Sequence, residues 1–201
     1  MTARIAVLVS GGGTNLQALI DAQNAGRIPH GEICVVIASN PNAYALERAR
    51  SAGIPAVYSY RKEEGSQEAF EAKISAYLKE YQIDFIILAG FLSILSADFT
   101  SQWPERIINV HPALIPSFCG KGMYGLKVHE AALAKGVKVT GATVHYVNEI
   151  PDGGKIILQK AVDVKDGDTP EVLQRRVMEE AEWILLPMAA EIVAKKISEG
   201  E

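Results

Sequence analysis

The chain is poor in the residues that bind metals or form disulfide bonds. Only two cysteines and four histidines occur among its 201 residues, and they show no C-x-x-C pair or comparable metal-ligand spacing. Cys34 and Cys119 are far apart, and Cys34 falls in a predicted core strand, where a buried free thiol is expected. The composition therefore predicts no metal site and a reducing compartment, which we expect to be the cytoplasm.

Long apolar runs and an excess of positive charge are also missing. No run reaches the roughly 20 residues of a membrane helix, and the chain enters a predicted strand directly after Met1, without a signal peptide. The net charge of −4 disfavours nucleic acid as a partner because phosphate backbones attract basic surfaces. We therefore expect a soluble intracellular protein whose partners include neither membranes nor nucleic acids.

What the chain does contain is a regular alternation of strand and helix patterns. Its length and its hydrophobic content of 48% suit one domain with its own core. Continuous apolar runs at Arg4–Val9, Ile33–Ser39 and Asp84–Ala89 are typical of strands buried on both faces, and helical patterns separate them. This alternation predicts an α/β domain with a doubly wound, mostly parallel sheet, in which ligands bind beyond the carboxyl ends of the strands.

The second half of the chain predicts a hairpin and a terminal helix. Thr140–Val147 alternates like a half-buried strand, and Lys155–Val164 returns from it, so we expect a hairpin at the edge of the sheet. Thr169–Pro170 starts a helix that runs to about Lys196, with an interruption at Pro187. Between these parts, residues 113–127 form a long irregular segment, which is typical of a lid or a binding loop.

A glycine-rich turn joins the first strand to the first helix. The residues Ser10 to Asn15 read S-G-G-G-T-N, and this geometry directs free backbone N–H groups at an anion. No lysine precedes Thr14, which excludes a Walker P-loop, and Leu16 stands where a dinucleotide motif has its third glycine. A single phosphate at Gly13, Thr14 and Asn15 is therefore favoured, although a tight turn without any ligand explains the glycines equally well.

Asn109 and His111 lie two residues apart on the predicted strand Ile107–Pro112, so their side chains project to one face. An amide beside an imidazole suits a reaction in which charge develops on a carbonyl oxygen and protons move. Taken alone, the pair is better explained by a turn cap and a semi-buried histidine, and only the rest of the chain reverses this preference. If Asp152 in the turn I-P-D-G-G folds beside His111, its charge is expected to raise the pKa of His111 above roughly 6.5. Without a serine or cysteine nucleophile, this set favours direct attack on the carbonyl by a substrate.

The motifs together resemble a known family. The strings, in chain order, are V-L-V-S-G-G-G-T-N-L-Q-A-L-I, L-A-G-F-L-S-I-L, I-N-V-H-P-A-L-I-P-S, G-A-T-V-H-Y-V-N and D-G-G-K-I-I-L-Q. They cover nearly the whole chain and are similar to the phosphoribosylglycinamide formyltransferases among the folate-dependent formyltransferases. The resemblance implies a Rossmann-like formyltransferase fold and transfer of a formyl group from 10-formyltetrahydrofolate, as co-substrate, to the amine of 5-phosphoribosylglycinamide in purine biosynthesis, without a metal.

The resemblance also implies roles for individual residues. Asn109 and His111 are expected to polarise the formyl oxygen, and Asp152 to keep His111 protonated. Gly13, Thr14 and Asn15 are expected to hold the ribose phosphate, Glu182 the sugar–glycinamide portion, and Thr143 a water molecule. The pterin pocket is expected to be lined, beside Asn109, by Leu92, Ser93, Ile94, Leu95, Asn148, Glu149, Ile150, Pro151 and Asp152. Residues 1–201 then form one domain, with a phosphate-binding half at 1–105 and a catalytic and folate-binding half at 106–201.

The chain departs from the family pattern at three places. Gln67 and Ser93 stand where many members have arginine, and Cys119–Gly125 replaces a shorter turn. Lys121 or Lys127 is a candidate for the missing positive charge at the folate tail. His145 is predicted to be structural, and the sequence leaves open a monomer or a homodimer.

Three alternative functions are weaker. Formyltetrahydrofolate hydrolase uses a similar Asn–His–Asp set on water, but normally carries an N-terminal regulatory domain that is not seen here. Methionyl-tRNA formyltransferase normally carries a C-terminal RNA-binding domain, and this acidic chain has no basic patch in its place. A non-catalytic phosphate-binding module is supported by the glycine-rich turn alone.

Overall fold

The computed structural model describes residues 2–200 and contains one seven-stranded sheet with helices on both faces. The strands are β1 (Ala3–Val9), β2 (Gly31–Ala38), β3 (Ala56–Tyr58), β4 (Phe85–Leu88), β5 (Ile107–His111), β6 (Val139–Tyr146) and β7 (Ile156–Asp163). The helices are α1 (Thr14–Asn24), α2 (Tyr44–Ser51), α3 (Arg61–Glu64), α4 (Gln67–Glu80), α5 (Ala97–Ser101), α6 (Leu126–Lys135), α7 (Pro170–Val177) and α8 (Trp183–Glu199), with a π-helical segment at Met178–Glu182. Within residues 2–200, none of the helices combines the length and the apolar character needed to cross a membrane.

The sheet has the strand order β3-β2-β1-β4-β5-β6-β7. The first five strands in this order are parallel, and β6 and β7 add to them as an antiparallel hairpin at the edge. Apolar side chains on the two faces of the sheet pack into two separate cores, one against α1 and α8 and the other against α4. This arrangement confirms the predicted doubly wound, mostly parallel sheet with a terminal hairpin and helix.

The strand register brings the important turns to one edge of the sheet. Leu8 in β1 pairs with Leu88 in β4, which in turn pairs with Asn109 in β5. Because neighbouring strands lie about 5 Å apart, the turn after β1 lies only about 10 Å from the end of β5. Bonds from Ser10 N to Gly90 O (3.1 Å) and from Leu92 N to Ser10 Oγ (2.8 Å) tie the connecting loops together.

Two expectations about these elements are wrong. The strand β6 is not half-buried: every residue from Thr140 to Tyr146 is buried, because β5 and β7 flank the strand and α8 packs on one face. The terminal helix is not interrupted at Pro187, which lies inside α8; the break is the π segment that ends at Glu182. A π turn holds one more residue than an α turn, so it accommodates an extra residue without ending the helix.

Candidate active site

The glycine-rich turn leaves backbone N–H groups exposed at the start of α1. Gly13 occupies the N-cap with a φ of 74°, and no side chain caps the helix. The first amides of α1 therefore have no intrahelical partner and, together with the helix dipole, form a site for an anion. A Cβ at Gly13 would lie 2.7 Å from Ala45 Cβ, so this position needs glycine both for its backbone angle and for its close approach to α2.

Asn15 and Glu182 connect this turn to the π segment. Asn15 Nδ2 donates to Glu182 Oε2 at 2.7 Å, and both side chains are buried. Burial raises the pKa of Glu182 to about 7, against a smaller downward effect of the Asn15 hydrogen bond. Asn15 Oδ1 is also buried and has no protein partner among residues 2–200. A buried carboxyl group and an unsatisfied amide oxygen at a helix start are features typical of a ligand site.

The second part of the site forms where β5 and β6 pair. Asn109 lies opposite His145, and His111 lies opposite Thr143. His145 Nδ1 lies 2.8 Å from Tyr146 O, and its Nε2 lies 3.2 Å from Asn109 Nδ2. This contact orients the Asn109 amide and leaves its second N–H free for a ligand. His145 is thus structural, as predicted, but its contact fixes a candidate catalytic group.

Asp152 reaches the same place from the turn between β6 and β7. Its carboxylate oxygens lie 3.6 Å from His111 Nδ1 and 3.6 Å from His145 Nε2, so the predicted proximity of Asp152 and His111 is present. The turn requires Gly154, because a Cβ there would lie 1.7 Å from Tyr146 O. The close backbone approach at Gly154 is therefore what brings the carboxylate of Asp152 over the end of β5.

The expected rise in the pKa of His111 is not found. Burial, the largest influence, lowers the pKa of His111 below 6.5, and the charge of Asp152 raises it by less. Burial also raises the pKa of Asp152, but the neighbouring His145, the Gly120 amide and His111 outweigh it, so Asp152 stays ionised. In the protein without ligand, burial thus favours the neutral imidazole of His111, whereas the adjacent carboxylate favours its protonation. That Asp152 keeps His111 protonated during the reaction stays a prediction.

The loop after β5 covers this pair. His111 Nε2 donates to Phe118 O at 2.8 Å, and the backbone N–H of Gly120 donates to Asp152 Oδ2 at 2.8 Å. The carbonyl of Phe118 thus occupies the position in which a substrate oxygen would accept from His111. The loop belongs to the segment predicted as a lid or a binding loop, and its contact with His111 and Asp152 agrees with that prediction.

Thr143 has no capacity left for a water molecule. Its hydroxyl donates to Ala113 O at 2.7 Å and accepts from Ile115 N at 3.1 Å and from Gln159 Nε2 at 3.0 Å. One donor and two acceptor positions are all that a threonine hydroxyl offers. The expectation that Thr143 positions water is therefore wrong, and the side chain anchors the start of the covering loop.

The predicted pterin-pocket residues fall into different surroundings. Leu92 and Ile94 are exposed, whereas Leu95 packs against the core. Glu71 on α4 accepts from Ser96 N and Ser96 Oγ, both at 2.6 Å, and so fixes the end of this loop. Gln67, one of the two positions expected to depart from the family pattern, also holds this loop. Its Nε2 donates to Glu71 Oε1 at 2.6 Å and to Ile94 O at 3.0 Å.

The other predicted pterin residues lie near the turn that carries Asp152. Asn148 and Glu149 line a cavity of about 360 Å³ with residues of α5 and not with the Leu92–Leu95 loop. Asn148 Oδ1 accepts from Ile150 N at 3.0 Å, and Ile150 and Pro151 are exposed. Lys127 Nζ lies 4.8 Å from the centre of the Tyr124 ring, and Lys121 is exposed. Which of these two lysines serves a folate tail stays a prediction.

Sequence reasoning missed Glu71, Phe118 and the orienting contact of His145. Glu71 lies beside the buried apolar residue Phe70 on α4, and a glutamate next to an apolar stripe has no sequence signature that distinguishes a buried anchor from a solvated charge. Phe118 acts through its backbone carbonyl, and because every residue has one, the residue type could not reveal this contact. No group of three or more histidine, cysteine, aspartate or glutamate side chains within residues 2–200 is placed to hold a metal ion.

At the carboxyl end of β5 in this mostly parallel α/β sheet, an amide, an imidazole and a carboxylate thus lie together. The chain matches the formyl transferase family model over residues 3–189, and it belongs to that family. Glycinamide ribonucleotide transformylase 1 from Symbiobacterium toebii is 43% identical with a TM-score of 0.89, and the match covers 96% of this chain and 88% of that one.

Longer relatives align with this chain over part of their length. A chloroplastic phosphoribosylglycinamide formyltransferase of Arabidopsis thaliana is 37% identical over 195 residues, which cover 96% of this chain and 66% of the plant protein. The trifunctional purine biosynthetic protein adenosine-3 of Homo sapiens is 44% identical over 194 residues, which cover 96% of this chain and 18% of the human protein. The chain thus spans less than two thirds of these two relatives.

Proposed function

We propose that this enzyme transfers the formyl group of 10-formyltetrahydrofolate to the amine of 5-phosphoribosylglycinamide in purine biosynthesis. The observation that carries the proposal is the position of Asn109, His111 and Asp152 at the sheet edge that also carries the open turn at Gly13. The relatives from Symbiobacterium toebii and Arabidopsis thaliana carry the glycinamide ribotide in their names, and their similarity extends over nearly the whole chain.

The chemistry follows from the groups at the end of β5. The substrate amine attacks the formyl carbon, a C–N bond forms, and the carbonyl electrons move onto the oxygen. The free N–H of Asn109 and the Nε2–H of His111 donate to this oxyanion once the Phe118 carbonyl has moved away. The oxyanion adds to the charge of Asp152 and thereby favours imidazolium at His111 in the transition state.

Collapse of the tetrahedral intermediate breaks the bond between the formyl carbon and N10 of the folate. One proton passes overall from the attacking amine to N10, and His111 is the group placed to carry it. Gly13, Thr14 and Asn15 bind the ribose phosphate through the start of α1, and Glu182 binds the sugar–glycinamide portion. The residues Leu92–Leu95 and Asn148–Asp152 bind the folate.

An absorbance assay of folate deformylation, with and without the glycinamide ribotide, tests the proposal. Turnover that requires the ribotide is the expected result. Turnover of equal rate without any amine would replace the transferase with a hydrolase, and no turnover with retained phosphate binding would leave a phosphate-binding module.

The domain organisation and the location are part of the same proposal. Residues 1–105 supply the phosphate site and residues 106–201 the catalytic and folate-binding groups of one domain. The free thiols of Cys34 and Cys119 suit the cytoplasm. The monomer and the homodimer both fit, and sedimentation of the purified protein distinguishes them.

A further inference from the structure

Arg48 is an arginine without a carboxylate partner beside the phosphate-binding turn. It lies on α2, which contacts the turn through a bond from Ala45 N to Gly11 O at 3.0 Å. None of the ion pairs found within residues 2–200 includes Arg48. In a chain with a net charge of −4, this places uncompensated positive charge where an anion is proposed to bind.

The guanidinium of Arg48 is held in a fixed position. Its Nε donates to Gly12 O at 2.8 Å and its Nη1 donates to Gln17 Oε1 at 3.0 Å. Gln17 is itself oriented, because its Nε2 donates to Asp21 Oδ1 at 2.9 Å. The planar fork of arginine therefore connects the turn to the first turns of α1, a geometry that a lysine does not reproduce.

The contact with Gly12 determines how the turn presents its backbone. A carbonyl oxygen that pointed at a bound phosphate would repel it, and the bond to Nε keeps the Gly12 oxygen on the side of Arg48. The side chain also lies along Gly13, since a Cβ at Gly13 would lie 3.4 Å from Arg48 Cδ. Arg48 and Thr14 line the same cavity of about 310 Å³, together with a second arginine, Arg27, and one carboxylate, Asp21.

We propose that Arg48 is the positioning residue that makes this turn selective for a phosphomonoester, by holding the Gly12 carbonyl and by supplying the positive charge of the site. This inference rests on the proposed function and adds a determinant of substrate choice to it. It predicts that Arg48 acts on binding of the phosphorylated substrate and not on the chemical step.

Steady-state kinetics of Arg48→Ala test the proposal with two substrates, the glycinamide ribotide and the same compound without its phosphate. For the ribotide we expect KM to rise about ten- to a hundredfold, the range of a lost charged hydrogen bond, with kcat within about twofold. For the dephosphorylated compound we expect no change in KM. Arg50→Ala is the matched control, because Arg50 lies on the same helix, is exposed and pairs with Glu47.

A second pair of variants separates charge from geometry. Arg48→Lys keeps the positive charge and loses the planar guanidinium with its fixed N–H donors. We therefore expect its KM for the ribotide to lie between the KM values of wild type and Arg48→Ala. Gln17→Ala is expected to raise KM about threefold in the wild-type background and not at all in the Arg48→Ala background. An equal rise in KM for both substrates, or no rise for the ribotide, would overturn the proposal.

Direct binding distinguishes this inference from the proposed reaction. Calorimetric titration with ribose 5-phosphate is carried out on wild type, Arg48→Ala and Arg50→Ala. Binding that Arg48→Ala alone weakens supports the inference even if wild type fails to transfer formyl groups. Ribotide-dependent transfer with the same affinity for ribose 5-phosphate in all three proteins refutes it and leaves the proposed function intact.

Discussion

The two parts of the candidate site present different parts of the chain to a ligand. At the start of α1 the groups available to a ligand are backbone N–H groups, and the sequence there is mainly glycine. At the end of β5 they are the side chains of Asn109, His111 and Asp152, which the antiparallel hairpin brings together. Backbone recognition depends on shape and close approach, whereas side-chain chemistry depends on protonation and burial. We therefore expect variants at the start of α1 to change mainly KM for the ribotide, and variants at the end of β5 to change mainly kcat.

The largest effect is expected at the imidazole. His111→Ala removes the Nε2 donor and the proton carrier together, so kcat is expected to fall by about a thousandfold or more. KM for the ribotide is expected to stay within about threefold because the phosphate end is untouched. Steady-state kinetics on both substrates measure this, with His30→Ala as the control. A kcat near that of wild type would contradict the proposed role.

Asp152→Asn is expected to lower kcat by about a hundred- to a thousandfold. The variant keeps an oxygen for the Gly120 amide but loses the charge that raises the pKa of His111 against the effect of burial. The His111 limb of the pH–rate profile should therefore move to lower pH. Asp166→Asn, at a fully exposed side chain, is the control. An unshifted profile would show that Asp152 acts without its charge.

At the phosphate end, the stability of the protein is expected to depend on pH through Glu182. Because its pKa is raised from 4.5 to about 7, the carboxyl group binds its proton more tightly in the folded state. The stability it contributes is full below pH 4.5 and is lost as pH rises through about 7. Glu182→Gln removes this loss and should gain on the order of 3 kcal/mol relative to wild type between pH 4.5 and pH 8.

Urea unfolding of both proteins across that range measures the Glu182 effect. Glu180→Gln, an exposed neighbour on the same segment, is expected to show a much smaller change with pH. A constant difference between Glu182→Gln and wild type at all pH values would mean that Glu182 is not perturbed in the folded protein.

Gly13→Ala tests the backbone end directly. The new Cβ meets Ala45 and requires a φ of 74°, so the turn must shift. KM for the ribotide is expected to rise about tenfold, which corresponds to the cost of a non-glycine residue in this conformation, while kcat changes little. Gly12→Ala, where a Cβ meets nothing within 4 Å, is the matched control. Equal KM values for the ribotide in the two variants would contradict the view that the contact of the new Cβ with Ala45 disturbs the turn.

The smallest effect is expected at the loop that Glu71 anchors. Glu71→Gln weakens the bonds to Ser96 and loosens the loop Leu92–Leu95, so KM for the folate is expected to rise about threefold. KM for the ribotide should not change. Glu80→Gln at the exposed end of the same helix is the control. A rise in KM for the ribotide instead would place this loop at the phosphate end.

Most of the fold could be predicted from the sequence because buried parallel strands are continuous apolar runs. The predicted bounds of β1 and β5 lie within about one residue of the observed ones, and Thr169 caps α7 as expected. The burial of β6 could not be predicted, because alternation in the sequence does not reveal which elements will cover each face.

The sequence could predict that His111 and Asp152 lie together, but not the direction in which the pKa of His111 is shifted. The motifs led to His111 and Asp152, whereas the direction of the pKa shift of His111 depends on how completely the fold removes water from the ring. Thr143 shows the same limit, since its hydroxyl is satisfied by groups from Ala113, Ile115 and Gln159, which meet only in three dimensions.

The π segment before α8 carries a consequence for length variation at this point of the chain. Glu182 is its final residue, and the apolar stripes of α7 and α8 both face the core across it. A π turn holds one more residue than an α turn, so deleting one residue of Met178–Ala181 and forming a plain α turn would leave the facing of α7 and α8 nearly unchanged. A deletion inside α7 or α8 would instead rotate the residues on its two sides against each other by about 100° and turn one apolar stripe away from the core. The π segment is therefore the one place in this helical stretch where losing a residue is expected to keep both stripes buried.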